Sequence, residues 1–202
     1  MALQQKIPIL PSPAIASYDY FDISDGTGIR TFYFYQNQDN LGLYSGLTTD
    51  HLVYSSSIAD AKTSSGSTSY DFDLSAFNTP KTIKGTALFQ ACTKANSSGG
   101  YYTSFDVTIK KVSGANVSTI ATATTENASY SAHTFCLKID VPQTNFKPKD
   151  ILRVNVVWHY TIGGGNYMEW GHDPANRDGQ QVTAANGLFT ASFIKIPFKL
   201  NI

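Results

Sequence analysis

The sequence predicts an all-β protein, an antiparallel sandwich of roughly eight to ten strands, and three observations carry that prediction. Short segments alternate apolar with polar side chains, turn-forming residues separate these segments, and no stretch of about ten residues or more shows capped helical periodicity. The clearest strand is Ile151 to Tyr160, in which Leu152, Val154, Val156, Trp158 and Tyr160 alternate with Arg153, Asn155, Val157 and His159. That pattern belongs to a strand with one face in a core.

Taken in order, residues 1–17 read as an extended arm, because Pro8, Pro11 and Pro13 hold them out of helix. Its apolar residues Ile7, Ile9, Leu10 and Ile15 are expected to dock on the flank of the domain or on a neighbouring subunit. The remaining residues, 18–202, form a single domain. Ile29 to Tyr35 is β-branched and aromatic on both faces, as in a strand covered on both sides. Apolar segments follow at Leu41 to Tyr44 and Leu52 to Tyr54, and the Ser/Thr/Gly-rich stretch from Ser55 to Ser69 reads as a surface loop.

A strand beginning near Thr82 carries Ile83, Ala87, Phe89 and Ala91 on one face, and Gly99 and Gly100 then reverse the chain. Phe105, Val107 and Ile109 alternate with Asp106, Thr108 and Lys110 in the next strand, and a second turn leads into Ser118 to Thr125. His133 to Val141 directs Phe135, Leu137, Ile139 and Val141 inward. Gly187 to Ile196 gives a strand with Phe189, Ala191 and Phe193 on one face, and Phe198, Leu200 and Ile202 alternate to the end. Phe198 and Leu200 join the arm residues as expected interface positions.

Composition bounds the function. Fifteen basic and fifteen acidic residues cancel, so no global field draws in nucleic acid or an anionic membrane. Only 15% of the residues are charged, while 12 Tyr and 12 Phe supply core and surface aromatics; such a surface suits subunit packing or uncharged ligands. The prolines near the N-terminus exclude the helical apolar core of a signal peptide, and no run approaches the roughly 18 apolar residues of a membrane helix. Synthesis in a cytoplasm is the expectation. Cys92 and Cys136 share no metal or redox spacing and are expected to be reduced thiols.

Residues able to do chemistry crowd after the Ile151 strand: His159, Glu169, His172, Asp173 and Asp178, around the glycine run Gly163 to Gly165. Their spacing matches no zinc or calcium frame, and Asp173 before Pro174 is ordinary turn chemistry. No GxSxG elbow or phosphate-binding glycine frame is present, and Glu126 and Glu169 are the only glutamates. A hydrolase site at His159, Glu169, His172 and Asp173 is therefore the least favoured reading, and no catalytic residue, metal or cofactor is expected. Tyr160, Tyr167, Trp170, His172 and Asp173 are instead expected to form a contact loop at one end of the sandwich, where aromatics stack on sugars or anchor a partner.

Four segments carry a family resemblance: DFDLSAFNTPKTIKGTALFQA, NFKPKDILRVNVVW, GHDPANRDG and SFIKIPFKLNI. Together they resemble the jelly-roll proteins of tailed-bacteriophage virions, especially capsid decoration and auxiliary head proteins. The resemblance implies a non-enzymatic structural protein, a jelly-roll homotrimer on the capsid surface of the virion, whose partners are its own copies and the major capsid protein. A carbohydrate-binding or receptor-binding jelly-roll module, with glycans as partners, is the alternative.

Overall fold

The computed structural model describes residues 28–39, 42–53, 59–95, 102–129, 132–163, 166–175 and 191–199. Among these lie eleven strands and no helix: β1 (Ile29–Asp39), β2 (Gly42–Thr48), β3 (Ala59–Lys62), β4 (Gly66–Asp73), β5 (Lys81–Ala95), β6 (Tyr102–Ser113), β7 (Asn116–Thr124), β8 (Ala132–Phe146), β9 (Ile151–Thr161), β10 (Met168–Gly171) and β11 (Phe193–Pro197). The all-β prediction holds. The expected arm and Leu200 lie outside the described residues.

The strands form one mixed sheet in the order β3-β10-β5-β11-β1-β2-β4-β9-β6-β7, with β8 paired to β5. Long β5 organises one half, because one edge carries β8 while the other is shared by β10 and β11. The ladders are antiparallel except at the junction of the halves, where β2 and β4 meet in parallel through the single pair Gly46↔Asp73. A purely antiparallel arrangement is thus corrected at that junction.

The sheet curls over on itself, as its aromatic contacts show. Phe105 of β6 lies 5.7 Å from Phe89 of β5, 5.2 Å from Phe135 of β8 and 5.3 Å from Trp170 of β10. Trp158 of β9 lies 6.1 Å from Trp170, and Phe34 of β1 lies 4.7 Å from Phe72 of β4. The β4-β9-β6-β7 half therefore faces the half built on β8, β5, β11, β1 and β2 across one apolar core, and each half keeps an outer face. Burying these rings supplies the main favourable term in folding.

Two local expectations change, the Ser55–Ser69 loop and the inward Leu137, and two details are added. Part of the predicted surface loop between Ser55 and Ser69 is strand: β3 occupies Ala59–Lys62, and β4 begins at Gly66. Its Ser and Thr content marks the polar side of a strand whose other side buries Tyr70 and Phe72. Leu52, in the apolar segment before the loop, lies in a turn and is 69% exposed. In β11 the core face belongs to Ile194 and Ile196, and Phe193 points outward to meet Tyr33 at 6.0 Å. Leu137 packs only in part against the core lined by Phe135, Ile139 and Val141.

Two turns hold the strands in register. In the Lys147–Asp150 turn the Lys147 amide donates to Asp150 Oδ2 at 2.6 Å, and Lys149 adopts a positive φ of 74°. That amide bond first, and the Lys111 ammonium at 3.0 Å among weaker causes, hold the buried Asp150 carboxyl down to about 2. At the start of β1, Gly28 has a φ of 66° and accepts a hydrogen bond from the Phe198 amide. A Cβ there would overlap the Phe198 carbonyl oxygen. Gly28→Ala is therefore expected to cost about 2 kcal/mol, read as a lower urea midpoint at unchanged slope.

Candidate functional site

The two outer faces differ in chemistry. On β4, β9, β6 and β7 the polar residues are joined to one another. Arg153 donates from Nε to Asp73 Oδ1 at 2.6 Å and from Nη1 to Asp71 Oδ2 at 3.0 Å. Asn155 Nδ2 donates to Ser69 Oγ at 3.0 Å, to the Tyr70 carbonyl at 3.1 Å and to Asp71 Oδ1 at 2.8 Å. Cross-strand pairing dictates this, because residues opposite one another on antiparallel strands present neighbouring side chains. Register sets Asp73 against Arg153 and Asp71 against Asn155.

One step along the same face, His159 Nε2 lies 2.8 Å from Asp106 Oδ2, and Thr124 donates to Asp106 Oδ1 at 2.7 Å. Burial opposes ionisation of Asp106, yet the hydrogen bonds from Thr124 and His159 and the nearby histidine charge outweigh it and hold the carboxyl below its usual range. Ser67 of β4 and Ser104 of β6 stand opposite His159 on its two sides. The imidazole is 43% and the carboxylate 38% exposed, so the pair is open to a molecule approaching the face. A carboxylate on one ring nitrogen fixes the ring and leaves the other nitrogen to take or give a proton.

The second outer face, on β8, β5, β11, β1 and β2, mixes aromatic and aliphatic side chains with lysines and neutral polar ones. One row crosses all five strands as Cys136, Gln90, Phe193, Tyr33 and Thr48. The next places Leu88 between Lys138 and Lys195, with Thr31 beyond. Leu88 is 42%, Ile29 40% and Tyr44 45% exposed, and the Lys195 ammonium sits 5.5 Å from the centre of the Phe193 ring. Near one corner the β5–β8 ladder bulges at Gly85, opening a shallow groove of about 410 Å³ lined by Lys84, Thr86 and Asp140 among others.

The structure disperses the cluster that the sequence placed after β9. His159 is on the outer polar face with Asp106, whereas Trp170, His172 and Asp173 are fully buried. Trp170 donates from Nε1 to Ser192 Oγ at 3.1 Å, and its ring lies 6.1 Å from His172. Burial pushes the His172 imidazole down to about 4 and keeps it neutral, outweighing the nearby Asp60 and Asp173 charges. Tyr160 is buried with its hydroxyl 2.9 Å from Thr68 Oγ1, Tyr167 is half-buried, and Glu169 faces away from the core on β10. Among the described residues no three His, Cys, Asp or Glu side chains converge. Phe198 packs inward, its ring 5.9 Å from Phe32 and 6.2 Å from Phe77. Ile7, Ile9, Leu10, Ile15, Leu200 and Asp178 lie outside the described residues.

Sequence reasoning placed Asp106 and His159 on the polar sides of their strands but did not join them. Joining them requires the β6–β9 register, which alternation alone does not provide. The exposure of Leu88 was harder to see, since it lies between the core residues Ala87 and Phe89.

Solved structures share this fold. A CocE/NonD family hydrolase from Staphylococcus aureus aligns with a TM-score of 0.53 at 13% identity, over 86% of this chain and 37% of the hydrolase. Another crystal structure of a CocE/NonD family hydrolase from that organism gives 0.50 at 12% identity with the same coverage. This chain thus spans little more than a third of the hydrolase it resembles. No protein-family model and no curated protein matches the sequence. The expectation of a non-enzymatic virion protein, a capsid decoration trimer or else a carbohydrate- or receptor-binding module, is corrected here: the solved chains aligned above, which share the fold, are hydrolases.

Proposed function

We propose that this chain is a jelly-roll β-domain of a hydrolase, and that His159 and Asp106 are its contribution to the chemistry. The observation that carries the reading is the fold likeness to a CocE/NonD family hydrolase over 86% of this chain. The pair adds chemical sense, because a histidine fixed by a carboxylate is the part of hydrolytic machinery that accepts and returns protons. It also narrows the sequence-derived hydrolase site: His159 stays, Asp106 replaces Glu169 and Asp173 as its acid, and buried His172 drops out. Among the described residues no hydroxyl hydrogen-bonds the His159 ring, so the nucleophile is a water, or a hydroxyl that substrate binding brings to the ring.

The test is turnover of chromogenic esters and anilides by the purified full chain. Hydrolysis is expected, with His159→Gln lowering kcat/KM by roughly 100-fold or more and Asp106→Asn by a smaller factor, at unchanged thermal stability. Turnover that both variants leave intact would remove the pair from the chemistry. No turnover of any ester or anilide would end the hydrolase reading for this chain.

A further inference from the structure

We propose that one end of the curled sheet is a basic platform that docks on the headgroup plane of an anionic bilayer. This inference does not depend on the hydrolase reading. The balanced net charge hides an uneven distribution, because strand register gathers lysines at a single end. Lys81 opens β5 opposite Phe146, which closes β8, and the amide of Lys199, just past β11, donates to the Thr82 carbonyl. The Lys147–Asp150 turn follows β8 at that end and leads into β9, whose first residue, Ile151, pairs with Val112 near the close of β6. Lys110 lies two residues before Val112, and Lys84 stands at the β5 bulge.

The acids do not cancel this charge. Lys84, Lys147, Lys149 and Lys199 are exposed and Lys110 is half-buried, and among the described residues no carboxylate pairs with any of the five. Asp150 is matched by Lys111, and Asp73 by Arg153. Asp50, which accepts the Leu52 amide at 2.8 Å, and Asp140, which accepts from Thr86, are the unmatched carboxylates near this end among the described residues. Five ammonium groups therefore face two carboxylates.

Shape and side-chain type select the partner. The lysines come from β5, β6, the Lys147–Asp150 turn and the residue after Phe198, on both halves of the sheet, so they make a plane of point charges and not a cleft. No exposed ring lies among them: Phe77 and Phe146 are buried, and Phe198 packs inward. Single-stranded nucleic acid calls for stacking rings, and forked recognition of one phosphate calls for arginine. Separate lysines on a plane suit a plane of diffuse negative charge, the kind of surface that anionic headgroups present. Such attraction fades within a Debye length, about 8 Å at physiological salt, so only the end that faces the bilayer contributes.

Co-sedimentation of the full chain with vesicles tests this. Binding to phosphatidylcholine vesicles carrying about one third phosphatidylserine is expected to exceed binding to phosphatidylcholine alone by about ten-fold or more, and about 0.5 M salt should remove most of it. Lys149→Glu should weaken binding several-fold at unchanged thermal midpoint, because the turn is held by backbone amides and the Asp150 carboxylate and not by the Lys149 side chain. Lys138→Glu makes the same change of charge opposite Leu88, well back from this end, and should weaken binding by less than about two-fold. Equal losses in the two variants would show that overall charge drives binding and would overturn the proposal. So would equal binding to the two kinds of vesicle, or tighter retention of duplex DNA than of the anionic vesicles, which would assign the end to nucleic acid.

Discussion

Phe105→Ala is expected to destabilise the protein by about 3–5 kcal/mol, the cost of deleting a buried phenylalanine whose surroundings cannot collapse around the gap. Phe105 is fully buried, and its ring contacts Phe89, Phe135, Trp158 and Trp170, which lie on β5, β8, β9 and β10. Those strands come from both halves of the sheet, so the cavity would open where the halves meet. Thermal unfolding should show a midpoint lower by roughly 10 °C or more for a domain of this size. Phe105→Leu keeps most of the volume and should cost appreciably less. A loss below about 1 kcal/mol for the alanine variant would mean that the halves are not joined through this ring.

The same residue shows what was legible in the sequence. That Phe105, Val107 and Ile109 share a core face, and that Leu152 to Tyr160 do too, follows from alternation alone, because a pleated strand sends successive side chains to opposite sides. All eight positions that alternation predicts in these two strands are buried: Phe105, Val107, Ile109, Leu152, Val154, Val156, Trp158 and Tyr160. Alternation fails where composition misleads. Gly66–Asp73 is a strand because Tyr70 and Phe72 enter the core, yet its Ser and Thr residues gave it the composition of a loop. In β11 the isoleucines on either side of Lys195 take the core face and leave the Phe193 ring outside, which alternation without a named core side does not decide.

No single strand contains the His159–Asp106 pair. His159 and Asp106 are 53 residues apart, and only the β6–β9 register sets them 2.8 Å from one another. The residues that drew attention by proximity in sequence, Glu169, His172 and Asp173, separate because β10 leaves β9 to pair with β3 and β5. Closeness along a chain crossing a turn says little about which face a side chain reaches. The resemblance to virion jelly rolls was carried by core-strand and turn segments, which report on fold and are shared by proteins of unrelated function.

Acid should destabilise the protein in a window set by His172, by about 3 kcal/mol between pH 6.5 and 4. Burial against Trp170 holds the folded imidazole neutral down to about 4, whereas in the unfolded chain it takes a proton near 6.5. Between those values the unfolded state carries one more proton, so stability is complete above pH 6.5 and is lost as pH falls through the folded value. Asp150 acts in a separate window: its carboxyl, held at about 2, contributes stability above the ordinary aspartate range that disappears only as pH drops from about 4 towards 2. Urea unfolding at half-unit intervals should resolve the two. His172→Gln is expected to flatten the upper window whatever it does to stability at pH 7, since glutamine does not titrate, and to leave the lower one in place. A wild-type unfolding free energy that is the same at pH 7 and pH 4.5 would show that His172 is protonated in the folded protein, and therefore that the end of β10 is open to water.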